Sequence, residues 1–560
     1  MKRSVTDHLF WLLLCCLVIL QVWDHLAWVN ADVLPQLDSD SSLHGGAMAG
    51  GWARLVQQPS WSALYSPGTY PPFVHWVTWL CFAFGEPSLL LMRQAQSIFA
   101  GLLALGCGLL SARLWGRWAG LAAAALCFTF PTFYWQRSVI MLSLGETAML
   151  SLAYAFLASP QAPAQDHRGL IKVLFGGILM GLASLTHVSM LYWLVATGGM
   201  QALQALVGLL RKHDGIRAHV RDLVLYYGMT ALIGAPWYVL SLPYITGALD
   251  NNYSIVTWEQ SPYDLVVFVG WLKTRFMAAP VAWMSLLGVM SVPWLIRGAP
   301  LLLPVLAGMV GGYLGVLSYP HIHARYFLPL VPMLLVLATA PLGALRLEGP
   351  LRGARSWLAG GLALGLMAYG LYFTASWRGA NEGPYTADMR FDGALDGRHI
   401  LTQRAQPWRT LLAKPDRWLL HAPPPQRGQW PIEEVVEEVI RQLELPQAPM
   451  GSDFGPAREA PVLWALSPHF GERVLTFEFV VRGRLPPVVV PYRANLAELE
   501  RLRQEGRGGY VLFTRSLMGE GAEVEEVKRW PVVVGGNRHT ELVLARATNG
   551  FRSIFNAKRP

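Results

Sequence analysis

The segment "LFWLLLCCLVILQVWDHLAW", residues 9–28, offers water little to bind. An α-helix needs about 20 mostly apolar residues to cross the hydrocarbon core of a bilayer, and this run has that length. Lys2 and Arg3 stand before it, and no small-residue cleavage pattern is clearly placed after it. It therefore reads as an uncleaved first transmembrane helix rather than a signal peptide.

The rest of the chain shares the bias. Of 560 residues, 53% are hydrophobic and 14% charged, with 23 Trp, whereas soluble domains carry about 25% charged residues. Such a chain is an integral membrane protein, not one soluble globule. The net charge of +9 does not imply nucleic acid, because the basic residues sit mostly at the ends of apolar runs rather than in a patch interleaved with aromatics. All five cysteines, Cys15, Cys16, Cys81, Cys107 and Cys127, fall inside apolar runs, with no disulfide framework or zinc-type spacing.

Further runs able to span lie near residues 91–111, 118–135, 138–158, 171–186, 188–210, 223–242, 277–296, 300–318, 325–345 and 356–376. The expected fold class is a polytopic α-helical membrane protein with about eleven transmembrane helices. Short loops rich in Lys and Arg stay cytoplasmic. Arg113 and Arg117, Arg168 and Lys172, Arg211, Lys212, Arg217 and Arg221, Arg297, and Arg346, Arg352 and Arg355 all fall on the side of Lys2 and Arg3. An odd number of spans then puts the N-terminus in the cytoplasm and the C-terminus outside, in a multi-pass protein of the inner (plasma) membrane. Residues 29–90 become a large first outer loop.

From about residue 378 the spanning runs stop and charge rises. "PIEEVVEEVIRQLEL" reads as a helix, and so does "NLAELERLRQEG", with Asn495 and Glu498 at capping-box spacing and Gly506 as its stop. "PVVVPY", "GGYVLFT" and "TELVLARA" read as short strands. The expected organisation is a transmembrane domain over 1–377 and a soluble extracytoplasmic α/β domain over 378–560.

The first outer loop opens with "VLPQLDSDSSLHGGAMAGG", residues 33–51, which crowds Asp38, Asp40 and His44 beside the lipid surface. The same topology places on the outer face Tyr70 in "YSPGTYPPFVHW", Arg93 near the start of the second span, and Arg137 in "FYWQR". His187 in "LTHVS", Lys273 and Arg275 in "LKTR", and Arg325 in "SYPHIHARYFLPLVP" join them. A site handling a charged amphiphile would gather such groups at one water–lipid boundary.

Singly, most of these have plainer readings. Asp38 and Asp40 could be solvated residues capping a helix from Ser41 onward. "YPP" could be a turn before an interfacial helix. Arg93 and Arg325 could snorkel to headgroups, and His187 could be a hydrogen-bonded helix-end residue. Glu146 differs: it lies well inside an apolar run, where an ionised carboxylate costs about 2.5 kcal/mol or more, so a partner or a function is expected.

The order of these pieces carries a resemblance. A first span, an acidic loop motif, "YPPFVHWVTWLCFAFGEPSLLLMRQAQSIFAGLLALGCGLLSARLWG", "GILMGLASLTH", "APWYVL" and "RYFLPLVP" together resemble membrane glycosyltransferases of the GT-C fold, in the branch of protein mannosyltransferases and lipid A aminoarabinose transferases. The resemblance covers about residues 1–345 in order rather than residue by residue. It implies transfer of a hexose or pentose from a polyprenyl-phosphate donor to a lipid, glycan or protein acceptor on the outer face. It also implies Asp40 as catalytic base, with Asp38 as the alternate and Glu146 as a second acid. The family's lysine after "LT" is His187 here, and its lysine before "PP" is Tyr70.

The chemistry agrees on its own grounds. A sugar phosphodiester leaves readily once its charge is neutralised, so a site needs cations for phosphate and a carboxylate for the acceptor. Lys273, Arg275 and Arg325 are available cations, with His44, Tyr70, Arg93, Arg137 and His187 as further substrate-binding candidates. Asp38 and Asp40 could also hold a divalent ion such as Mg²⁺ or Mn²⁺, since hard cations prefer carboxylate oxygens. The alternative function is a transporter or flippase of a lipid-linked substrate, but no repeat relates the two halves of the chain. A non-catalytic membrane scaffold would leave Glu146 and the outer-face charges unexplained.

Overall fold

The computed structural model describes residues 5–31, 39–65, 70–85, 87–130, 140, 142–158, 166–211, 215–255, 277, 279–317, 324–344, 352–379, 432–447, 461–465, ten positions between 475 and 491, 509–514, 525–534 and 538–546. The described residues of each of the eleven apolar runs are mostly helical. In chain order the helices are α1 (Val5–Ala31), α2 (Ser39–Gln57), α3 (Trp61–Tyr65), α4 (Phe73–Phe82), α5 (Leu89–Trp115), α6 (Arg117–Leu126), α7 (Leu142–Ala155), α8 (His167–Ser184) and α9 (Met190–Leu210). Then follow α10 (Ile216–Ile255), α11 (Ala279–Met290), α12 (Val292–Gly298), α13 (Leu302–Leu317), α14 (Leu330–Ala338), α15 (Ala340–Ala344) and α16 (Arg352–Gly379).

Among the described residues, four helical stretches are long and apolar enough to cross a membrane: Asp7–Ala27, Leu90–Trp115, Met190–Leu210 and Ile216–Gly247. Other expected spans are shorter or broken. The run 277–296 breaks at Ser291 between α11 and α12, and the run 325–345 divides into α14 and α15. Residues 223–242 instead lie inside one 40-residue helix that continues through Pro236 and Pro243. Proline is tolerated inside an apolar bundle because neighbouring groups can satisfy the freed carbonyls. Large apolar side chains on α1, among them Trp11, Leu12, Ile19 and Trp23, are exposed, as a lipid-facing stripe would be.

Polar ties set the register of the bundle. At one end of the α1–α5 pair Gln94 donates to Asn30 at 2.8 Å. At the other Arg117 pairs with Asp7, and Arg113 donates to the carbonyl of Ala155, the last residue of α7, at 3.0 Å. Gly116 supplies the φ of 98° that lets the chain turn from α5 into α6. The basic end of these helices is therefore opposite the end carrying Asn30, and Glu146, near the start of α7, lies toward the latter. Trp79 and Trp76 donate to Met48 O and Leu64 O at 2.8 and 2.7 Å, fixing α4 against α2 and α3.

Beyond α16 the described residues form α17 (Ile432–Leu443) and a five-stranded sheet of order β2-β1-β3-β5-β4. The strands are β1 (Val462–Ala465), β2 (Val488–Pro491), β3 (Gly509–Thr514), β4 (Glu525–Val534) and β5 (Arg538–Arg546). β1 runs parallel to β2 and β3, and β5 is antiparallel to β3 and β4. Val435, Val436 and Val439 of α17 share a core with Leu463, Leu512 and Leu544. Burial raises the Glu438 carboxyl, but hydrogen bonds from Gln442, Arg441 and Lys528 outweigh it and hold the group below its ordinary range. Three expected strands and the first expected helix are present, and β1 and β4 are additional. The expected helix in "NLAELERLRQEG" lies outside the described residues.

Candidate active site

Glu146 is the buried anchor of the site. Its residue is 1% exposed, and it sits in the second turn of α7, whose fourteen residues are all buried. The neighbouring Gly145 lets α7 approach α4 and α5 closely: a Cβ there would lie 2.7 Å from Val74 and 3.5 Å from Phe99.

The turn after α8 brings the partners. Ser184 and Thr186 hydroxyls donate to Gly181 O and Ala183 O at 2.7 and 2.6 Å, alongside the backbone N–H groups of Leu185 and Thr186 that bond the same carbonyls at 3.2 and 3.0 Å. The carbonyl of Leu185 accepts the N–H of Phe73 at 2.9 Å, which joins this turn to the start of α4. The Ser189 hydroxyl donates to Glu146 Oε1. His187 Nδ1 lies 4.0 Å from Glu146 Oε2 and 2.8 Å from Ser189 Oγ, and accepts the Ser189 backbone N–H at 3.2 Å. Glu146, Ser189 and His187 thus form one row from the buried helix to a partly exposed imidazole.

Aromatic rings extend the row outward. Tyr70 lies 6.5 Å from His187 and 4.5 Å, edge-on, from His44, while Tyr326 lies 6.1 Å from His187 on its other connection. Helix α2, the turn before α4, the α8–α9 turn and the 3₁₀ turn Ala324–Phe327 therefore meet at one locus. Tyr238 of α10 donates to Ser184 O at 2.7 Å and lies within electrostatic reach of Glu146.

Four of the candidates, His44, Tyr70, Glu146 and His187, are thus brought together. Helix α2 begins at Ser39, two residues before the start expected of a capped helix, so Asp40 falls inside its first turn, one helical turn before His44. Arg325 adjoins Tyr326 in the 3₁₀ turn. The side chains of Asp40 and Arg325 lie outside the described positions, as do Asp38, Arg137, Lys273 and Arg275 entirely. Arg93 is buried one turn into α5, on the helix that packs against α1, α4 and α7.

Ser189, Tyr238 and Tyr326 were not singled out by sequence. Ser189 had a weak signal, a hydroxyl residue two positions after a helix-end histidine, but its link to Glu146 spans 43 positions. Among the described residues no group of three or more His, Cys, Asp and Glu side chains is placed to hold a metal ion. The pair on which a divalent ion would rest, Asp38 and Asp40, is outside the described side chains.

No protein-family model and no curated protein matches the sequence. Among solved structures the chain is similar to ArnT from Cupriavidus metallidurans bound to undecaprenyl phosphate, at 15% identity over 98% of this chain and 99% of that chain, with a TM-score of 0.52. Against the apo state of the same protein the values are 16% identity, 97% and 98% coverage, and a TM-score of 0.51. At this identity the similarity establishes the fold: the chain has the helical membrane architecture of the GT-C class.

Proposed function

We propose that the chain is an integral membrane glycosyltransferase that moves a sugar from a polyprenyl-phosphate donor to an acceptor on the outer face of the inner membrane. The observation that carries this reading is the Glu146–Ser189–His187 row, ringed by His44, Tyr70 and Tyr326, at the end of the bundle away from Arg113 and Arg117. ArnT, whose fold it shares, was solved with undecaprenyl phosphate, and a lipid of that class is the proposed donor carrier here.

In the reaction the acceptor oxygen or nitrogen attacks the anomeric carbon. The bond from that carbon to the phosphate oxygen breaks, and its electron pair leaves with polyprenyl phosphate. Asp40, in the first turn of α2, is the proposed acceptor of the proton, with Asp38 as alternate. Negative charge grows on the phosphate, so cations aimed at it lower the barrier; His187, Arg325, Lys273 and Arg275 are the proposed set. Glu146 acts from behind, holding the turn that presents His187. A divalent ion on Asp38 and Asp40 would steady the acceptor or the phosphate, and no step here depends on it. Residues 378–560 are the proposed extracytoplasmic domain.

The test is direct. Purified protein is given undecaprenyl phosphate carrying different hexoses or pentoses, with lipid, glycan and peptide acceptors. Release of undecaprenyl phosphate together with a glycosylated product supports transfer. Movement of intact donor across a vesicle bilayer without any glycosylated product would favour a flippase.

A further inference from the structure

Three helices grip the short turn that carries His187. The Phe73 N–H at the start of α4 donates to Leu185 O at 2.9 Å, the Ser189 hydroxyl bonds Glu146 of α7, and the Tyr238 hydroxyl of α10 donates to Ser184 O at 2.7 Å. The first two ties join the turn to elements already at the site. The third comes from a helix to which the proposed reaction gives no part. Its direction is fixed, because a carbonyl oxygen only accepts, and it does not depend on which of Glu146 and His187 carries a proton.

Ser184 is the last residue of α8 and 2% exposed, so no N–H of its own helix reaches that carbonyl. Helix α10 gets to it because the two helices lie close. The Thr230 hydroxyl donates to Gly177 O at 3.1 Å. A Cβ on Gly181 would fall 2.8 Å from Ile233 and 3.1 Å from Thr230 O, and one on Gly234 would fall 2.5 Å from Ser184 Oγ. Glycine at those positions seats α10 against α8 up to the turn, and Tyr238, one helical turn beyond Gly234, meets the carbonyl three residues before His187.

We propose that Tyr238 is a positioning residue for sugar transfer, its hydroxyl fixing through Ser184 O where the turn presents His187 to the donor phosphate. This rests on the proposed use of a polyprenyl-phosphate carrier. Tyr238 takes no part in bond making. Charge grows on the phosphate only as the bond to the anomeric carbon breaks, so a displaced imidazole is felt in the transition state more than in the bound donor. Loss of the hydroxyl takes this partner from the buried Ser184 carbonyl and removes one of the three ties.

The test compares steady-state transfer by full-length wild type and Tyr238→Phe in nanodiscs, with whichever sugar-linked undecaprenyl phosphate the wild type turns over. Phe keeps the ring and drops the hydroxyl. The kcat should fall about fivefold or more, the cost of a buried polar group without its partner, with the donor KM within about twofold. 4-Aminophenylalanine at position 238 restores a donor at the end of the ring and should recover most of the rate. In a His187→Gln background Tyr238→Phe should cost little more, since residues that act as one unit are not additive. Turnover within about twofold of wild type in folded Tyr238→Phe, a raised KM at unchanged kcat, or the same fold loss with and without His187 overturns the inference while leaving the transferase reading intact. A Tyr238→Phe protein that fails to fold overturns it too, because the hydroxyl would then serve the stability of the bundle. No transfer by the wild type to any acceptor overturns both.

Discussion

Replacing Ser189 by Ala removes one oxygen, the hydroxyl that donates to buried Glu146. Leaving a buried polar group without its hydrogen-bond partner costs about 1–3 kcal/mol. If the catalytic turn is held by that bond, its loss lowers turnover by about 5- to 150-fold, at 1.36 kcal/mol per decade of rate. The fold should survive, because Ser184 and Thr186 still close the end of α8 onto Gly181 and Ala183. Ser189→Thr keeps a hydroxyl at the same position and should recover most of the rate. The assay is release of undecaprenyl phosphate from the sugar-linked donor, per mole of monodisperse protein in nanodiscs. Turnover within about twofold of wild type for folded Ser189→Ala, or equal losses for Ala and Thr, would refute the view that Glu146 acts through this hydroxyl.

Asp40→Asn keeps shape but cannot accept a proton, so transfer should fall by about 100-fold or more with lipid binding retained. Asp38→Asn should cost less unless both carboxylates hold a metal ion, in which case the two variants fail alike and respond to added Mg²⁺ or Mn²⁺. Arg325→Ala and Lys273→Ala should each weaken apparent donor affinity with little effect on insertion, since a charge-assisted phosphate contact is lost; unchanged affinity in both would assign them to interface anchoring. A reporter fused after residue 376 should be active only outside the cytoplasm, and one in the Arg211–Arg221 loop only inside; the reverse pattern would put the Glu146–His187 end on the wrong face.

The bundle was legible because a run of some twenty apolar residues has few alternatives to helix in lipid. What hydropathy did not carry was where such runs break, at Ser291 and between α14 and α15, because those breaks are set by packing inside the bundle. In the C-terminal sheet β1 is only "VLWA", too short to show alternation, and β4 contains Lys528, Arg529 and Pro531, which masks a strand defined by its pairing with β5. At the site, Glu146 stood out because a carboxylate in an apolar run is costly, and His44, Tyr70 and His187 stood out by their place in the family-like order. Ser189 did not, because an uncharged hydroxyl gains meaning only when the fold brings it to a carboxylate 43 positions away.

The central claim is that a lipid phosphate binds where α2, the α8–α9 turn and the Ala324–Phe327 turn meet. A density map of the full-length protein with undecaprenyl phosphate bound measures that directly. The account predicts the phosphate beside His187, within hydrogen-bond reach of at least one of Arg325, Lys273 and Arg275, with the prenyl chain running along the exposed apolar faces of the bundle. A phosphate seated at the opposite end, among Arg113, Arg117 and Arg221, would contradict it.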